Sequence, residues 1–299
     1  MKKYIRCLWI VHTLMEEGDA SLADLNERWK RSSYGYEGEE IGARTFSRDK
    51  EFIASVMQVD IEYDSVTRKY TLVNKDDVEK NTIYKYLLSV FHINGISSLS
   101  IRLKDRMMLE EIPTGVEYLP VLLKAMEEEK VVKFDYQSYY SKESLFHFEV
   151  IPCFLRLFKQ RWYLICEYLD RSRTRVLALE RMQNLVAGNK KVSPSPDILP
   201  EIYYHHHYGI IHTTERAIEI QLKVYDKEYD YIVSTPFHYS QREIERKNEY
   251  AVIRLYLIPT LDFKQRILSH MDKVEVLSPA SFREEIKQDI LRILTRYTE

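Results

Sequence analysis

The secondary structure predicted by the hydrophobic pattern changes twice along the chain, and this limits the fold more than any single motif. Up to about residue 75, apolar residues recur at helical spacing. Between about residues 130 and 182, short apolar runs predict closely spaced strands. After residue 215, strands and helices alternate. Because 299 residues also exceed what one hydrophobic core usually organises, we expect a multidomain α+β protein.

The first 75 residues predict three helices followed by a β-hairpin. Ser21 precedes the second helix, and Asp24 follows three residues later, as in a capping box. The third helix is predicted from about Ile41 to Val56. Ile61 and Tyr63 then alternate with polar residues before a charged turn, as expected of a hairpin strand. This order is typical of a winged helix-turn-helix, whose third helix enters the major groove of DNA.

Basic residues at the start of this third helix are candidates for reading DNA. Arg44 and Arg48 are four residues apart and therefore share one face. An arginine on such a helix can donate two hydrogen bonds to a guanine edge, and basic residues at a hairpin tip can hold phosphates. The predicted DNA-binding residues are Arg44, Thr45, Ser47, Arg48, Lys50, Arg68 and Lys69.

The same residues allow a second interpretation. Residues 1–75 carry twelve Lys and Arg against thirteen Asp and Glu, so this part of the chain is not basic overall. The basic residues of its third helix could then form a solvated face of a module that contacts other proteins.

Positive charge is concentrated in the middle of the chain. Residues 130–191 carry twelve Lys and Arg against six Asp and Glu, whereas the whole chain has a formal net charge of −2. Tyrosine and phenylalanine side chains are interleaved with these charges, a combination that suits stacked bases and phosphates. The closely spaced strands predict a small β-barrel of the SH3 or Sm type, in which Trp162 and Leu164 also fit as core.

Three arginines share parity along one predicted strand, Thr174–Met182, and the residue just before it. They are Arg173, Arg175 and Arg181, and they face one cleft if the strand runs straight.

The last part of the chain follows the order β-α-β-β-α-β of a ferredoxin-like unit and ends in a long helix. The apolar stripe of that helix either packs on its own domain or contacts a second copy. The predicted parts are residues 1–75, a helical connector 76–113, a barrel 114–192, a proline-rich linker 193–214 and the ferredoxin-like unit 215–299.

Several classes of protein are not expected. No apolar stretch reaches the ~18 residues of a membrane span. Cys7, Cys153 and Cys166 are far apart, as in reduced thiols of a cytoplasmic protein. The consecutive residues His205–His207 cannot all face one ion, so we interpret them as a polar stretch and expect no metal site. Motifs for nucleotide-phosphate loops and nucleophilic catalysis are absent, and we expect neither an enzyme nor a cofactor.

Four runs of sequence in three regions of the chain together resemble a known family of modules. Pro152 and Arg161-Trp162-Tyr163-Leu164, followed by Arg175-Val176-Leu177-Ala178-Leu179-Glu180-Arg181-Met182, resemble the WYL domain. The run Arg44-Thr45-Phe46-Ser47-Arg48-Asp49 is similar to the third helix of DeoR-type winged helices, and Val274-Glu275-Val276-Leu277-Ser278-Pro279 to the WYL C-terminal extension. The resemblance thus covers nearly the whole chain.

The resemblance implies a bacterial transcription regulator, usually a homodimer, that binds double-stranded operator DNA. Its WYL domain would sense a negatively charged effector, such as a nucleotide or single-stranded nucleic acid, in a basic groove. Effector binding is expected to change the spacing of the two winged helices and so the affinity for the operator. The family's pocket pattern is matched by Tyr136, Trp162, Tyr163, Arg175 and Arg181.

Two further effector-binding candidates, His147 and Arg156, come from their charge and strand position. The chain also departs from the family: Leu177-Ala178 stand where the family often has Phe-Arg, and Glu180 stands where it has Asp. Two alternatives remain open. One is a nucleic-acid-sensing adaptor without sequence-specific operator binding. The other is an enzyme acting on nucleic-acid ends, for which the sequence offers no metal site or acid–base pair.

Overall fold

The computed structural model describes residues 2–32, 34–35, 39–73, 75, 106, 115–139 and 145–298. The chain divides into two compact units, residues 1–110 and 111–299. The helical connector predicted over residues 76–113 lies outside the described residues, apart from Arg106.

The N-terminal unit combines helices with a small antiparallel sheet. Its elements are α1 (Lys2–Glu17), β1 (Asp19–Ala20), α2 (Leu22–Arg31), α3 (Ala43–Phe52), β2 (Ile61–Asp64) and β3 (Lys69–Leu72). The strands pair in the order β1-β3-β2, so the predicted hairpin is extended by a short third strand.

Helix α2 begins at the predicted capping box. The backbone N–H of Asp24 donates to the hydroxyl of Ser21 at 3.2 Å, and the backbone N–H of Ser21 donates to the carboxylate of Asp24 at 2.9 Å. Leu25 and Trp29 are buried, and the Trp29 ring packs against that of Trp9 with 4.9 Å between centroids. These contacts attach α2 to α1.

Helix α3 is shorter than the prediction of Ile41 to Val56. It ends at Phe52, and the chain continues as one π-helical turn, Ile53–Met57. This wider turn buries both Ile53 and Met57, and Gln58 then ends it with a φ of 53°. Core packing therefore takes precedence over the regular α-helical spacing that the sequence pattern suggested.

The second unit begins with one helix on a five-stranded antiparallel sheet. Its elements are α4 (Leu119–Glu127), β4 (Lys130–Gln137), β5 (Leu145–Phe158), β6 (Arg161–Tyr168), β7 (Thr174–Ala178) and β8 (Met182–Lys191). The strand order is β7-β6-β5-β4-β8. Leu122 and Ala125 of α4 pack in one core with Val132 and Leu164 of the sheet.

The strand predicted over Thr174–Met182 does not run straight. Strand β7 ends at Ala178, a 3-10 turn covers Leu179–Arg181, and β8 follows. The sequence did not reveal β8, because two register shifts against β4 remove the two-residue alternation by which strands are predicted.

The remaining elements form a four-stranded antiparallel sheet with helices. They are β9 (Ile218–Tyr225), α6 (Glu228–Ser234), β10 (Arg242–Arg246), β11 (Tyr250–Leu257), α7 (Leu261–Leu268), β12 (Val274–Ser278) and α8 (Ala280–Thr298). The strand order is β10-β11-β9-β12. The element order β-α-β-β-α-β is the predicted one.

Residues 193–214, predicted as a linker, pack against both sheets. They contain the short helix α5 (Pro200–Tyr203) and bury Tyr203 and Tyr204. The prediction of a polar stretch at His205–His207 is wrong for His207, which is 7% exposed and forms a parallel bridge with Ile258. The backbone pairing holds this histidine against the end of β11.

The apolar stripe of α8 packs on its own sheet only at its beginning. Phe282 and Ile286 are buried, whereas Ile290, Leu291 and Leu294 are between 43% and 55% exposed. No helix in the described part of the chain combines the length and apolar character needed to cross a membrane.

Candidate functional site

Helix α3 directs its basic residues away from the core. Arg44, Ser47 and Arg48 are exposed, and neither arginine forms an ion pair with another described residue. Phe46 and Asp49 lie on the opposite face and are buried. The two predicted base-reading arginines are therefore on one free surface.

The buried carboxylate of Asp49 connects α3 to α1. Arg6 donates from Nε to one carboxylate oxygen at 2.5 Å and from Nη2 to the other at 3.0 Å. This hydrogen bond to Asp49 raises the pKa of Arg6. The two-point contact fixes how α3 is rotated, and with it where Arg44 and Arg48 point.

Three other predicted DNA-binding residues are less free, whereas Arg68 is exposed. Thr45 is half-buried, and the Lys50 ammonium lies 5.0 Å from the centroid of the Tyr70 ring. Lys69 forms an ion pair with Asp19 at 2.8 Å, a contact that raises the pKa of Lys69. Arg68 is exposed at the hairpin turn with a φ of 57°. Arg68 rather than Lys69 is thus available to a phosphate.

A cleft of about 750 Å³ lies in the second unit, beside the five-stranded sheet. It is basic and aromatic. Its arginines are Arg173, Arg175 and Arg181, and its aromatic walls include Tyr136, Phe146, Phe148, Tyr163, Tyr168 and Tyr203. The residues Ile210, Ile211 and His212 close one side. We call the space lined by these residues the cleft.

The guanidinium groups of the cleft contact tyrosines rather than carboxylates. Arg181 lies over the rings of Tyr139 and Tyr136, at 4.4 Å and 5.5 Å from their centroids. Arg173 lies 4.7 Å from the centroid of Tyr168, whose hydroxyl accepts from Nε of Arg175 at 3.4 Å. Among the described residues, no carboxylate lies within 4.0 Å of these three guanidinium groups. Glu149, a carboxylate that also lines the cleft, pairs with Lys133 at 3.3 Å, so the three guanidinium groups have no ion-pair partner among the described residues.

Arg181 also has an unused donor. Its Nε is buried and has no hydrogen-bond partner among the described residues. Because a buried unpaired donor is costly, this position favours an incoming acceptor. Burial raises the pKa of the nearby Tyr136 and Tyr163, so both hydroxyls stay protonated at neutral pH and can donate to such an acceptor.

Two family models match this chain. The WYL domain model matches residues 117–187, and the WCX domain model matches residues 216–294. The chain carries a WYL domain and a WCX domain.

Solved structures are similar at a low level. Proteasome accessory factor B/C (PafBC) of Arthrobacter aurescens is 15% identical with a TM-score of 0.35, over 94% of this chain and 45% of that one. The chain thus spans less than half the length of that protein. A CRISPR Cas-related protein is 12% identical with a TM-score of 0.38, over 93% of this chain and 72% of that one. No curated protein matches.

The tripeptide Trp162-Tyr163-Leu164 lies on β6 of the WYL domain, and its side chains alternate between the core and the cleft. Leu164 is buried in the core, and Trp162 packs against that core. Tyr163 lines the cleft. Trp162 was predicted as an effector-binding residue, but the alternation along the strand directs it to the core instead.

The structure brings five of the seven predicted effector-binding residues to the cleft. They are Tyr136, His147, Tyr163, Arg175 and Arg181. His147 is at the exposed rim and shares a short hydrogen bond with Asp135, which Asn184 also holds at 2.7 Å.

Arg156, like Trp162, does not line the cleft. Its guanidinium lies 3.8 Å from the centroid of the Tyr204 ring, where burial lowers its pKa. The parity of Arg173, Arg175 and Arg181 pointed to one cleft although the strand breaks, because the 3-10 turn returns Arg181 to the same side.

Sequence reasoning missed the side of the cleft that lies outside the WYL match. Ile210, Ile211 and His212 belong to the segment predicted as a linker. The one nearby sequence feature that indicates an unusual backbone conformation is Gly209, which has a φ of +81°.

Among the described residues, no group of three or more His, Cys, Asp or Glu side chains is placed to hold a metal ion.

Proposed function

We propose that this protein regulates transcription. Its N-terminal unit would act as a winged helix-turn-helix that binds operator DNA, and the cleft of its WYL domain would bind a negatively charged effector. The WYL sheet would be an SH3- or Sm-like barrel, and the WCX domain a ferredoxin-like unit. The supporting features are the hairpin after α3, the five adjacent antiparallel strands and the β-α-β-β-α-β order.

The lining of the cleft is the main support for a negatively charged effector. The cleft, of about 750 Å³, is lined by three guanidinium groups and by six tyrosine and phenylalanine side chains. The guanidinium groups have no carboxylate partners among the described residues. Arginines in such surroundings bind phosphates, and tyrosine faces stack with bases. A nucleotide or a short single strand of nucleic acid supplies both groups. We therefore infer an effector of this class, bound without chemical conversion.

The N-terminal unit supports duplex binding through the exposed pair Arg44 and Arg48. Its rotation is fixed by Asp49, so both guanidinium groups can reach base edges together. A homodimer would place two such helices on the two halves of an inverted repeat. The exposed residues Ile290, Leu291 and Leu294 of α8 offer apolar surface for pairing. Three free thiols fit a reducing cytoplasm.

Binding of fluorescein-labelled single-stranded hexathymidylate to the full-length protein tests the cleft. Fluorescence anisotropy at several salt concentrations should show binding that weakens as salt rises. Arg175→Ala and Arg181→Ala should each weaken binding about tenfold, because each removes a charged hydrogen-bond donor. Each should also reduce the slope of log K against log salt by about 0.7, the value for one phosphate contact on a single strand.

Arg171→Ala is the matched control. Arg171 is exposed near the same strand but donates to Ser195 and Ser193 rather than lining the cleft. It should bind like the parent protein. Equal binding by the parent, Arg175→Ala and Arg181→Ala would show that the anion binds elsewhere.

A second function is favoured by the charge of the N-terminal unit. Because acidic residues slightly outnumber basic ones there, and Lys69 is already paired, the unit could contact proteins instead of DNA. The protein would then be a nucleic-acid-sensing adaptor. It would bind hexathymidylate in the cleft but select no duplex sequence.

A further inference from the structure

One wall of the cleft comes from residues 207–213, which we call the wall segment. Ile210, Ile211 and His212 of this segment face the cleft. The segment lies between the WYL match and the WCX match. The cleft is therefore incomplete within the WYL domain alone.

The WCX domain holds the wall segment through one buried carboxylate. Oδ2 of Asp262, in the first turn of α7, accepts from the backbone N–H groups of Ile210 and Ile211 at 2.8 Å and 2.9 Å. Asp262 is 8% exposed, and no basic group among the described residues forms an ion pair with it. A buried carboxylate is costly unless it is hydrogen-bonded, so this carboxylate and the wall segment stabilise each other.

The backbone at this contact is adapted to the carboxylate. Gly209 has a φ of +81°, and a Cβ added to it would lie 2.4 Å from Oδ2 of Asp262. Only glycine allows this conformation and this approach together.

Tyr204, which lies between the WYL and WCX matches, holds the same segment and packs against Phe154 and Tyr163 of the WYL domain. The Tyr204 hydroxyl donates to the carbonyl oxygen of Ile210 at 2.8 Å. The guanidinium of Arg156, on β5, lies 3.8 Å from the centroid of the Tyr204 ring. The backbone of Ile210 is thus held at its N–H by Asp262 of the WCX domain and at its carbonyl by Tyr204, which Arg156 of the WYL domain contacts.

A stack of aromatic rings connects the wall segment to the chain just before α7. His212 lies 3.8 Å from the Tyr203 ring and 4.4 Å from the His207 ring, between centroids. His207 in turn forms the backbone bridge with Ile258, three residues before α7 begins. Movement of His212 by a ligand would therefore reach the start of α7.

We propose that Arg156 and Asp262 are positioning residues that clamp the wall segment, and that this clamp transmits occupancy of the cleft to the WCX domain. Neither side chain lines the cleft. The transmission rests on the proposed function of the cleft, whereas the clamp itself does not.

Hydrogen exchange of the ligand-free, full-length protein tests the clamp. In Asp262→Asn, the amides of Ile210 and Ile211 should exchange at least about tenfold faster than in the parent, because they lose a charged acceptor. Asp226→Asn, an exposed aspartate paired with Lys273, is the control and should leave these amides unchanged. Equal exchange in Asp262→Asn and the parent would overturn the clamp.

Salt-dependent binding of fluorescein-labelled hexathymidylate tests whether Arg156 acts only by position. Arg156→Gln should weaken binding about tenfold while leaving the slope of log K against log salt unchanged. Arg156→Lys, which keeps the charge but loses the planar stack, should behave in the same way. A slope reduced by about 0.7 in Arg156→Gln would make Arg156 a direct phosphate contact and overturn its positioning role.

Exchange of the parent protein with saturating hexathymidylate tests the transmission. The wall segment and residues 261–264 should both exchange more slowly when the probe is bound. Protection of the wall segment alone would overturn the transmission. If the parent binds no hexathymidylate, the proposed function and the transmission both fail, while the ligand-free experiment still decides the clamp.

Discussion

Asp49 fixes the position of helix α3 against α1, a role that its place in the sequence did not indicate. In the sequence it is one acidic residue within a basic run, Arg44 to Lys50. In the structure it is buried and receives both hydrogen bonds from Arg6. Residue spacing predicted which arginines share a face, but it could not reveal this pairing, because Arg6 and Asp49 are distant in sequence.

Asp49→Ala should destabilise the N-terminal unit by about 2 kcal/mol, because the part-buried guanidinium of Arg6 loses its two charged hydrogen bonds. Urea unfolding followed by tryptophan fluorescence measures this, with Trp162→Phe as background so that only Trp9 and Trp29 report. Glu51→Ala, an exposed acidic residue on the same helix, is the control and should change stability little. Equal unfolding midpoints for the two variants would refute a stabilising role for the pair.

His212 should make stability depend on pH. Burial lowers its pKa to about 4, from an ordinary value of about 6.5 in the unfolded chain. The unfolded state therefore binds the proton first, and the stability contributed by neutral His212 is present above about pH 6.5 and lost as pH falls towards 4.

His212→Phe keeps the ring stack with Tyr203 but removes this titration. Between pH 7 and pH 4 the variant should lose less stability than the parent, as measured by unfolding free energies at several pH values. Parallel pH curves for the two proteins would show that His212 does not titrate in this way.

Elements with a regular pattern were predictable, and those shaped by distant contacts were not. Strands β5 and β6 follow their apolar runs, and α2 begins at its capping box. Strand β8 was missed because register shifts interrupt its alternation. The wall segment was missed because its order depends on Asp262, about fifty residues later.

Gly115→Ala should destabilise the WYL domain where Gly115, just before the 3-10 turn Val116–Tyr118, contacts the 3-10 turn Leu179–Arg181. Gly115 has a φ of +100°, and an added Cβ would lie 2.5 Å from backbone atoms of Leu179 and Glu180. The destabilisation should exceed ~1 kcal/mol, the amount by which Gly→Ala at a compatible position stabilises a protein, because here φ is positive and the added Cβ meets fixed backbone atoms. Differential scanning calorimetry should show a lower transition temperature for the unit that contains this sheet.

Gly42→Ala is the control for this substitution, since nothing lies within 4 Å of its Cβ position and its φ is −65°. It should leave that transition unchanged. A Gly115→Ala protein that unfolds like Gly42→Ala would show that the two turns are not held as the structure has them.

In the molecule as a whole, the sequence predicted three modules in order, and the matches to WYL and WCX domains agree with the second and third, whereas the first stays a prediction. The cleft was predicted in part. Its arginines and Tyr163 were identified from the sequence, but the side formed by Ile210, Ile211 and His212 was not. Its completion by the wall segment depends on packing between two domains, which no local pattern records.

Selection from a random-sequence duplex library tests whether the chain is a regulator that reads DNA sequence. The full-length protein should enrich one short motif repeated in inverted orientation, as two dimer-related helices require. The double variant Arg44→Ala, Arg48→Ala should enrich no motif, although it still binds hexathymidylate. Uniform recovery of the library by the parent protein would contradict the claim and favour an adaptor whose principal nucleic-acid site is the cleft.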